Sequence, residues 1–552
     1  MSAPAKALYP KTAIVLAAGG VPTSLSTIIG RTSSAMIPVN GRPIIHWLLN
    51  YFHEIGINRV VIGIRKEEER LPKFVRQTFG KIQEISFEVV AEDFGPGYTL
   101  LRCLAQLPPN TSCLVVLGDT LFQFGAKSAE LFENSFVLTA PVQDASRWCL
   151  ARVDAAGTVA ALADKPARNP DSWPALIGVY FLRDCGPALS SLRKSFDDGI
   201  RSLQLRHALE PYIRTTSLYG YPAGEWFDCG NLDFLNSSRR RLLQARSFNS
   251  IQIDELRGTI TKRSEHRGKF LNEINYYRLL PRDLATFFPR LVDFGLENED
   301  TFLTLEYYGY NTLSEIWVFE EFEPVYWQSI FELLARILDC FRKYSVELTQ
   351  EATFNFYWLK TLERVLEFRR QHADFQALVD ATEITLNGER LQGWLAVRPQ
   401  VEARLRQLSQ HPRGRIIHGD LCFPNILYDP VSRLFKFIDP RGSFGESGIY
   451  GDGRYDVAKL MHSLDGGYDF LIHDMFVLKQ QEREISLQQF FPHTREAVLQ
   501  RFTSVFGKEF DLREIQLLQG LLFLSMCPLH VAHPKRQVAM FATGLRILNQ
   551  VL

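Results

Sequence analysis

Alternation of strand-like and helix-like segments over residues 11 to about 235 constrains the fold of this chain more than any other feature. Short β-branched or aliphatic runs recur at Thr12–Leu16, Arg59–Ile64, Ser86–Val90, Cys113–Leu117 and Ser135–Thr139. Between them, segments such as IIHWLLNYFHEIG carry apolar residues at helical spacing and stop at glycine, as a helix C-terminus does. This pattern predicts an α/β domain, Rossmann-like, whose mostly parallel sheet is covered by helices on both faces.

The pattern changes near residue 236, and a chain of 552 residues is too long for one hydrophobic core. The polar, arginine-rich segment 236–250 predicts a helical connector. After it come strands, a helix around Lys269–Leu279, a strand pair and long helices. The predicted parts are an α/β domain over 1–235, the connector over 236–250, and an α+β domain over 251–552, with a small lobe at about 251–310 and a helical lobe at about 311–552.

Charge and cysteine usage narrow the class of protein. Lysine plus arginine equals aspartate plus glutamate at 62 each, so no basic excess predicts binding to nucleic acid or to a membrane surface. The run Arg239–Arg241 is typical of a solvated helix face. The eight cysteines lack metal-binding spacing, which indicates reduced, mostly buried thiols in a cytoplasmic protein. The apolar segment Ile515–Leu529 contains Gln516 and Gln519 and is too short for a membrane span, so it predicts a core helix.

The motif IIHGDLCFPNILYD, residues 416–429, is the strongest chemical signal in the chain. An apolar strand leads into His418, Gly419 and Asp420. Asn425 follows five residues after this aspartate, and a second apolar strand leads into Asp439. Phosphoryl transfer needs such a set: a carboxylate that orients the attacking hydroxyl, and an amide with a second carboxylate to hold Mg²⁺ on the phosphates. The motif therefore predicts a phosphotransferase site.

The order and spacing of these groups resemble the aminoglycoside phosphotransferase and choline kinase families, which are relatives of protein kinases. The resemblance implies that Asp420 is the catalytic base, and that Asn425 and Asp439 are Mg²⁺ ligands beside ATP. It also implies that His418 braces the catalytic loop and that Asp456, on the following helix, is structural.

The small lobe of such a kinase has matches upstream. Lys262 on a strand and Glu273 on the next helix match the Lys–Glu pair that positions the α- and β-phosphates. The segment TFLTLEYYGYNTL resembles the strand and hinge that bind adenine, with backbone hydrogen bonds expected from Glu306 and Tyr308. One departure is the missing Gly-rich loop before Lys262, where the stretch IQIDELRG offers only Gly258.

The N-terminal landmarks resemble those of sugar-phosphate and choline-phosphate nucleotidyltransferases. The match begins with LAAGG at 16–20 and continues with PVNGRP at 38–43, which bracket the phosphate-binding loop of that family. It extends through VVLGDTLF, EDFGPGYTLLRCL, a hairpin ending in DKP, IGVYFL and EWFDCGN. The resemblance implies a second nucleoside triphosphate, CTP or UTP, bound by Ala18, Gly19, Gly20, Ser34 and Gly97.

The same resemblance assigns the charged groups of the transfer reaction. Asp119 and Asp228 are implied as Mg²⁺ ligands, and Lys165 is implied to meet the substrate phosphate. Where the family has a loop Arg and a Lys, this chain has uncharged residues, and Arg31 is the cation expected to substitute. Each lost contact to a developing charge costs about 3 kcal/mol in reactions of this kind. Because both carboxylates and Lys165 are intact, retained nucleotidyl transfer is the favoured interpretation.

Together the two halves predict a bifunctional enzyme. The C-terminal half would phosphorylate a small alcohol or sugar with ATP, and the N-terminal half would convert the phosphate ester into a nucleotide-linked precursor of a surface polysaccharide such as a capsule. A homo-oligomer is compatible with this prediction. Two alternatives stay open: a monofunctional kinase with a nucleotide-sensing N-terminal domain, and a scaffold with two inactive halves.

The choice of acceptor also stays open at this stage. A choline acceptor would need an aromatic cage. The chain has a group of aromatic residues for one, but ordinary helical-lobe core is their favoured interpretation: Trp317, Tyr326, Trp327, Tyr357 and Trp358.

Overall fold

The chain divides into two units, Met1–Arg239 and Arg240–Leu552. The computed structural model describes residues 10–19, 33–80, 83–108, 110–124, 132–169, 172–215, 218–230, 251–254, 256–263, 267–296, 301–320, 322–444 and 448–552. The predicted connector, 236–250, lies outside the described residues, and the domain bounds given above stay a prediction.

The N-terminal unit is built on one large sheet with helices packed against it. Its described strands are β1 (Thr12–Leu16), β2 (Pro38–Val39), β3 (Arg42–Pro43), β4 (Arg59–Arg65), β5 (Glu84–Val90), β6 (Cys113–Leu117), β7 (Thr120–Gln123), β8 (Phe136–Ala140), β9 (Cys149–Val153), β10 (Val159–Asp164), β11 (Ala175–Leu182), β12 (Tyr219–Pro222) and β13 (Glu225–Asp228). Its described helices are α1 (Ile44–Glu54), α2 (Arg70–Phe79), α3 (Pro96–Leu104), α4 (Gly186–Asp197) and α5 (Arg206–Thr215).

Strand β1 lies at the centre of the parallel half of this sheet. The order is β10-β9-β11-β6-β1-β4-β5, and β1 pairs in parallel with both β4 and β6. Every residue of β1 is buried, as expected for a strand covered on both faces. Beyond β6 the strands β11, β9 and β10 run antiparallel, and β8 and β12 pair beside them. The predicted parallel sheet is thus confirmed for the half that follows the first strand–helix alternation.

Helix α1 illustrates how local pattern sets an element. Its buried positions are Ile44, Ile45, Leu48, Leu49 and Phe52, spaced as one face of a helix. The chain leaves the helix through Gly56, whose φ of 84° is the left-handed conformation that glycine adopts without strain.

The C-terminal unit begins with strands and continues mainly as helices. Its described strands are β14 (Ile251–Asp254), β15 (Thr259–Arg263), β16 (Leu291–Gly295), β17 (Phe302–Glu306), β18 (Asn311–Thr312), β19 (Glu383–Leu386), β20 (Glu389–Gln392), β21 (Gly414–Ile416), β22 (Ile426–Asp429), β23 (Leu434–Phe437), β24 (Tyr450–Asp452), β25 (Phe476–Gln481) and β26 (Glu484–Gln489). Its described helices are α6 (Arg267–Leu279), α7 (Arg282–Ala285), α8 (Leu313–Phe319), α9 (Pro324–Arg342), α10 (Gln350–Gln371), α11 (Ala373–Val379), α12 (Trp394–Ser409), α13 (Arg454–Leu464), α14 (Tyr468–Ile472), α15 (Arg495–Phe506), α16 (Leu512–Met526) and α17 (Pro534–Val551).

The first strands of this unit form an antiparallel sheet in the order β14-β15-β17-β16. Helix α6 packs on it through a small apolar cluster that contains Phe270, Ile274, Leu303 and Leu305. A three-stranded sheet, β18-β22-β23, and a two-stranded one, β21-β24, carry the segments on either side of the HGD motif. The order of strands, helix, strand pair and long helices is the one that the sequence pattern predicts.

The helices after β18 enclose an aromatic and aliphatic core. Trp317 and Trp327 are each 1% exposed and pack edge to face, with ring centres 5.2 Å apart. Tyr357 and Trp358 are also buried. Burial of these four rings agrees with the core interpretation. Tyr326, by contrast, is exposed.

Helix α16 is a core helix, as its sequence predicts, and Gln519 within it is fully buried with its side-chain amide donating to Met461 O. Among the described residues no helix combines the length and the apolar character that a membrane span requires. All eight cysteines are free thiols, and most are buried.

Candidate active sites

The first candidate site lies at the carboxyl ends of the parallel strands, where open α/β sheets bind their ligands. A cavity of about 610 Å³ opens there, and the loop after β1 lines it through Ala18 and Gly19. Asp119, Lys165 and Ser34 line it as well. The structure therefore brings together five of the residues that the sequence assigned to the N-terminal site. Gly20 and Arg31 lie outside the described residues.

The far end of the loop is closed by a serine that sequence reasoning missed. Ser33 donates through its hydroxyl to Ala17 O at 2.8 Å, and its backbone N–H donates to Glu68 Oε2 at 2.9 Å. The next residue, Ser34, is buried in a 3-10 turn and faces the cavity. These contacts hold Ser33 against Ala17, directly after β1, and against Glu68 in the segment before α2. Only long-range contacts identify Ser33, so no local motif could have found it.

Asp119 and Asp228 come together at Gly230. Strand β13 pairs with β7, so that Asp228 lies opposite Thr120. A β-carbon built on Gly230 would lie 2.8 Å from Asp119 Oδ2 and 3.3 Å from Asp228 Oδ1, so the absence of a side chain there lets both carboxylates approach. The Gly230 amide donates to Asp228 Oδ1 at 2.9 Å.

The electrostatics of this pair suit a cation. Burial, reinforced by the nearby Asp228 charge, raises the pKa of Asp119 from 3.8 to about 6. Burial also raises the pKa of Asp228, although the Gly230 amide opposes it. Mg²⁺ prefers one or two carboxylates and completes its shell with substrate phosphates and water. Within the described ranges no cluster of three metal-binding side chains occurs.

A second cavity, of about 400 Å³, shares Asp119 and Lys165 with the first and adds Asp228. Lys165 adopts a left-handed backbone conformation, with φ of 49°, and its N–H donates to Trp148 O at 2.9 Å. Two more cations that sequence reasoning missed, Arg147 and Arg206, line the second cavity. The pair of cavities therefore meets at one carboxylate and one lysine, with additional positive charge on the second side.

For Gly97, which the sequence predicted as a nucleotide contact, the structure shows a packing contact instead. The Gly97 amide donates to Leu203 O at 2.9 Å, and a β-carbon at this position would lie 2.8 Å from Gln204 O and 2.9 Å from the Leu203 carbonyl group. The residue serves the packing of α3 against that segment, while Gly95 and Pro96 line the first cavity. Of this motif, the neighbours Gly95 and Pro96 rather than Gly97 line the cavity, and the role of the motif in nucleotide binding stays a prediction.

The second candidate site belongs to the C-terminal unit. Lys262 on β15 lies 3.3 Å from Glu273 Oε1 on α6 and also contacts Asp439 Oδ1. Burial alone would lower the pKa of Lys262, but Asp439 and Glu273 outweigh it and hold the pKa above its ordinary value. A charged lysine is thereby held between two carboxylates, ready to meet phosphate oxygens.

The loop after β21 holds the other predicted groups. Asn425 Nδ2 donates to Asp420 O at 2.8 Å and to Asp420 Oδ2 at 3.1 Å. His418 Nε2 lies 3.0 Å from Ile438 O, and its Nδ1 accepts from the Asp420 N–H at 3.2 Å, which assigns a neutral imidazole. Burial agrees, since it lowers the pKa of His418 to about 4.

Asp456 holds the backbone of the loop after β21 through hydrogen bonds. Its carboxylate accepts the backbone N–H groups of His418 and Gly419, each at 2.8 Å. The side chain is fully buried and faces the backbone. These contacts fit the structural role that the resemblance implies for it.

Lys459 is the residue at this site that sequence reasoning missed. Its Nζ lies 2.7 Å from Asp420 Oδ1, and its side chain is only 6% exposed. Burial would raise the pKa of Asp420, but Lys459 outweighs it and holds the pKa below its ordinary value. Lys459 lies on α13, one turn after Asp456. Only the packing of α13 against the loop reveals this pair.

The predicted hinge residues lie at the end of β17. The Glu306 N–H donates to Arg290 O at 3.0 Å, and the Tyr308 hydroxyl donates to Glu306 Oε2 at 2.8 Å. The Glu306 N–H is therefore occupied within the fold, so a backbone hydrogen bond from this residue to adenine would use its carbonyl oxygen, and the hinge assignment stays a prediction.

Comparison with known proteins bears on the N-terminal unit. Residues 13–208 match the family model described as MobA-like NTP transferase domain. Over 152 residues the chain is 24% identical to the D-glycero-alpha-D-manno-heptose 1-phosphate guanylyltransferase of Campylobacter jejuni, covering 27% of this chain and 67% of that protein. A protein of the same name from Aneurinibacillus thermoaerophilus is 20% identical over 108 residues, which cover 20% of this chain and 46% of that one.

A longer match reaches the low-salt glycan biosynthesis nucleotidyltransferase Agl11 of Haloferax volcanii, 23% identical over 260 residues, with 45% of this chain and 69% of that protein covered. Among solved structures, a putative glucose-1-phosphate thymidylyltransferase from Bacillus anthracis aligns with 21% identity and a TM-score of 0.38, over 43% of this chain and 96% of that one.

Proposed function

We propose that the N-terminal unit, whose residues 13–208 form a MobA-like NTP transferase domain, transfers a nucleotidyl group to a sugar phosphate. The observation that carries this proposal is the pair of cavities that meet at Asp119 and Lys165. One cavity faces the loop after β1 and suits a nucleoside triphosphate. The other, with Arg147 and Arg206, suits an anionic acceptor.

In the proposed reaction an acceptor phosphate oxygen forms a bond to the α-phosphorus of the nucleotide, and the bond from this phosphorus to the pyrophosphate leaving group breaks. Lys165 lies where the two anions meet and stabilises the charge that builds up between them. Asp119 and Asp228 would hold Mg²⁺, which supplies further neutralisation of the phosphate charge. Arg147 and Arg206 would orient the acceptor phosphate.

The C-terminal unit is proposed to be a small-molecule kinase that uses ATP. Two observations support it: the Lys262 contacts to Glu273 and Asp439, and the Asp420–Asn425 pair on the loop after β21. The acceptor hydroxyl would give its proton to Asp420 as its oxygen bonds to the γ-phosphorus and ADP leaves.

Asn425 and Asp439 would hold Mg²⁺ beside the phosphates, where it neutralises charge. The donor set fits in type, because the Ile438 N–H donates to the Asn425 backbone O at 3.0 Å and so pairs the residue before Asp439 with Asn425, and the Asp439 carboxylate is half-exposed. Amide and carboxylate oxygens are the ligands that Mg²⁺ takes in proteins.

The two activities connect through a phosphate ester. A kinase product that carries a sugar phosphate is the acceptor that the nucleotidyl transfer needs. CTP and UTP were the nucleotides expected from sequence. The names of the relatives, which include guanylyl and thymidylyl transfer, add GTP and dTTP to the set to be tested. The proposal assigns the nucleotide-linked product to surface polysaccharide assembly and includes a homo-oligomeric state.

The experiment measures pyrophosphate and ADP in the same mixture. The full chain is incubated with Mg²⁺, ATP, each second nucleoside triphosphate, and a panel of sugars and sugar 1-phosphates. Asp228→Asn is expected to abolish pyrophosphate release while ADP release persists, and Asp420→Asn is expected to do the reverse. Matched controls are the exposed residues Asp197→Asn and Asp374→Asn.

The results separate the alternatives. Pyrophosphate release that survives Asp228→Asn would refute the N-terminal site. ADP release without pyrophosphate for any sugar 1-phosphate would favour the monofunctional kinase with a nucleotide-sensing domain. Pyrophosphate without ADP, together with unchanged Mg·ATP binding in Lys262→Met, would refute the kinase.

A further inference from the structure

The cavity beside Asp420 carries positive charge that nothing in the kinase reaction above uses. It has a volume of about 500 Å³ and lies among α10, α13 and the loops after β21 and β23. The cations that line it are Lys360, Arg364, Arg441 and Lys459. The arrangement is unexpected for an enzyme that resembles kinases of amines.

Each of the three carboxylates that line this cavity already contacts a lysine. Asp420 pairs with Lys459 at 2.7 Å. Glu273 and Asp439 both pair with Lys262. Arg364 pairs with Glu367, so the four other cations, Lys262, Lys360, Arg441 and Lys459, exceed the three carboxylates by one charge.

Two of these cations, Lys360 and Arg441, contact aromatic groups. Lys360 Nζ donates to the Tyr455 hydroxyl at 3.0 Å and lies 5.3 Å from the centre of the Phe356 ring. The Arg441 guanidinium lies 5.2 Å from the same ring and 5.3 Å from that of Phe444. In the part of the chain that the structure describes, neither cation forms an ion pair with a carboxylate.

Repulsion among the cations makes an anion the favourable occupant. Burial lowers the pKa of Lys360, and the charges of Arg441 and Lys459 lower it further. Arg364 also lines the cavity, and Glu367 on the same helix pairs with it at 3.4 Å. An anion in the cavity would relieve this repulsion, whereas an ammonium group would increase it.

We propose that the acceptor of the C-terminal site carries an anionic group, a phosphate or a carboxylate, which binds Lys360 and Arg441 while its hydroxyl lies at Asp420. This inference rests on the proposed kinase activity and names its substrate class. In the reaction the acceptor oxygen bonds to the γ-phosphorus of ATP, the bond from this phosphorus to the bridging oxygen of ADP breaks, and the hydroxyl proton passes to Asp420. An acidic sugar or a sugar phosphate is an acceptor of this class, and choline or an aminoglycoside is not.

The first part of the test needs no identified acceptor. Inorganic phosphate and acetate are titrated by calorimetry into the full chain at low ionic strength with saturating Mg·ADP. The variants are Lys360→Met, Arg441→Met and, as a control, Lys479→Met, an exposed lysine on β25. Phosphate binding is expected to weaken at least tenfold in Lys360→Met and Arg441→Met and to stay unchanged in Lys479→Met. The inference would be overturned if Lys360→Met and Arg441→Met bound phosphate as tightly as the wild type does, and bound acetate as tightly as the wild type does.

The second part measures ADP release with matched acceptors: glucose, glucose 6-phosphate, glucuronate and choline. ADP release that is stimulated by either anionic sugar but not by glucose supports the inference. Stimulation by glucose 6-phosphate would identify the anionic group as a phosphate, and stimulation by glucuronate would identify it as a carboxylate. Faster ADP release with choline would overturn it while leaving the kinase intact. A Lys360→Met variant whose KM rises for ATP rather than for the acceptor would also overturn it, since the cations would then serve the nucleotide.

A different result would refute the proposed kinase activity itself. Loss of Mg·ATP binding is expected in Lys262→Met, and Mg·ATP that does not bind the wild-type chain refutes the kinase. The phosphate titration still reports on the anion site in that case, so the two failures are distinguishable.

Discussion

Removing the Asp119 carboxylate is expected to stabilise the N-terminal unit at alkaline pH while abolishing its activity. Folding raises the pKa of this group from 3.8 to about 6. The folded unit therefore binds the proton more tightly than the unfolded chain does, so stability falls as pH rises from about 4 to about 6 and the full penalty persists above that window. Asp119→Asn removes the penalty because the amide carries no charge.

The magnitude follows from the same values. At 1.36 kcal/mol per pKa unit the penalty is about 3 kcal/mol at pH 8. Asp119 is only partly buried, so solvent screening reduces this to about 1–2 kcal/mol. For a unit of this size that corresponds to a rise in unfolding temperature of roughly 3–6 °C. At pH 4 the wild-type carboxyl is already protonated, and the gain is expected to disappear.

The assay is calorimetric unfolding of the full chain at pH 4, 6 and 8 without Mg²⁺, with pyrophosphate release measured in parallel. The transition of the N-terminal unit is the one that Mg²⁺ with a nucleoside triphosphate raises in the wild type. The control is Asp197→Asn, an exposed carboxylate on α4. A variant as stable as wild type at pH 8, or one stabilised equally at pH 4, would refute the electrostatic reasoning.

Three further predictions concern single residues. Lys459→Met is expected to move the acid limb of the ADP-release profile to higher pH, because the lysine holds the pKa of Asp420 down; a pH–rate profile checks this, and an unmoved limb contradicts it. Gly230→Ala is expected to lower pyrophosphate release at least tenfold and to leave ADP release unchanged, because its β-carbon would lie 2.8 Å from a carboxylate oxygen of the metal pair; an equal loss of both products would point to misfolding instead. Arg454→Met is expected to destabilise the C-terminal unit by about 3–5 kcal/mol, because it leaves the buried Asp452 carboxylate, to which the arginine donates at 2.6 Å, without its partner. Urea denaturation measures the loss of stability, and a loss below about 1 kcal/mol would contradict the prediction.

Much of the local structure could be predicted because its signals are local. The strand Thr12–Leu16 was expected at the residues where it occurs, since a continuous aliphatic run of that length suits a strand buried on both faces. Helix α1 follows from one apolar face and a terminal glycine. The HGD motif and its asparagine lie within one loop, so their mutual spacing is written in the chain.

Other features depend on packing between distant segments. Lys459 reaches Asp420 because α13 packs against the loop after β21, and no spacing rule relates the two. Arg147 and Arg206 line the second cavity from separate elements. The error at Gly97 has the same origin, since the helix that begins at Pro96 presents this glycine to Leu203 and not to the cavity.

The sequence by itself determined the alternation of strands and helices, the change of pattern near residue 236, and the chemical types of groups at both sites, because periodicity and motif spacing are properties of short segments. Only the tertiary structure decided which of those groups meet. It brought Asp119 and Asp228 to one glycine, buried Trp317 and Trp327 in the core, and surrounded Asp420 with cations, because burial and charge balance are set by contacts between residues far apart in the chain.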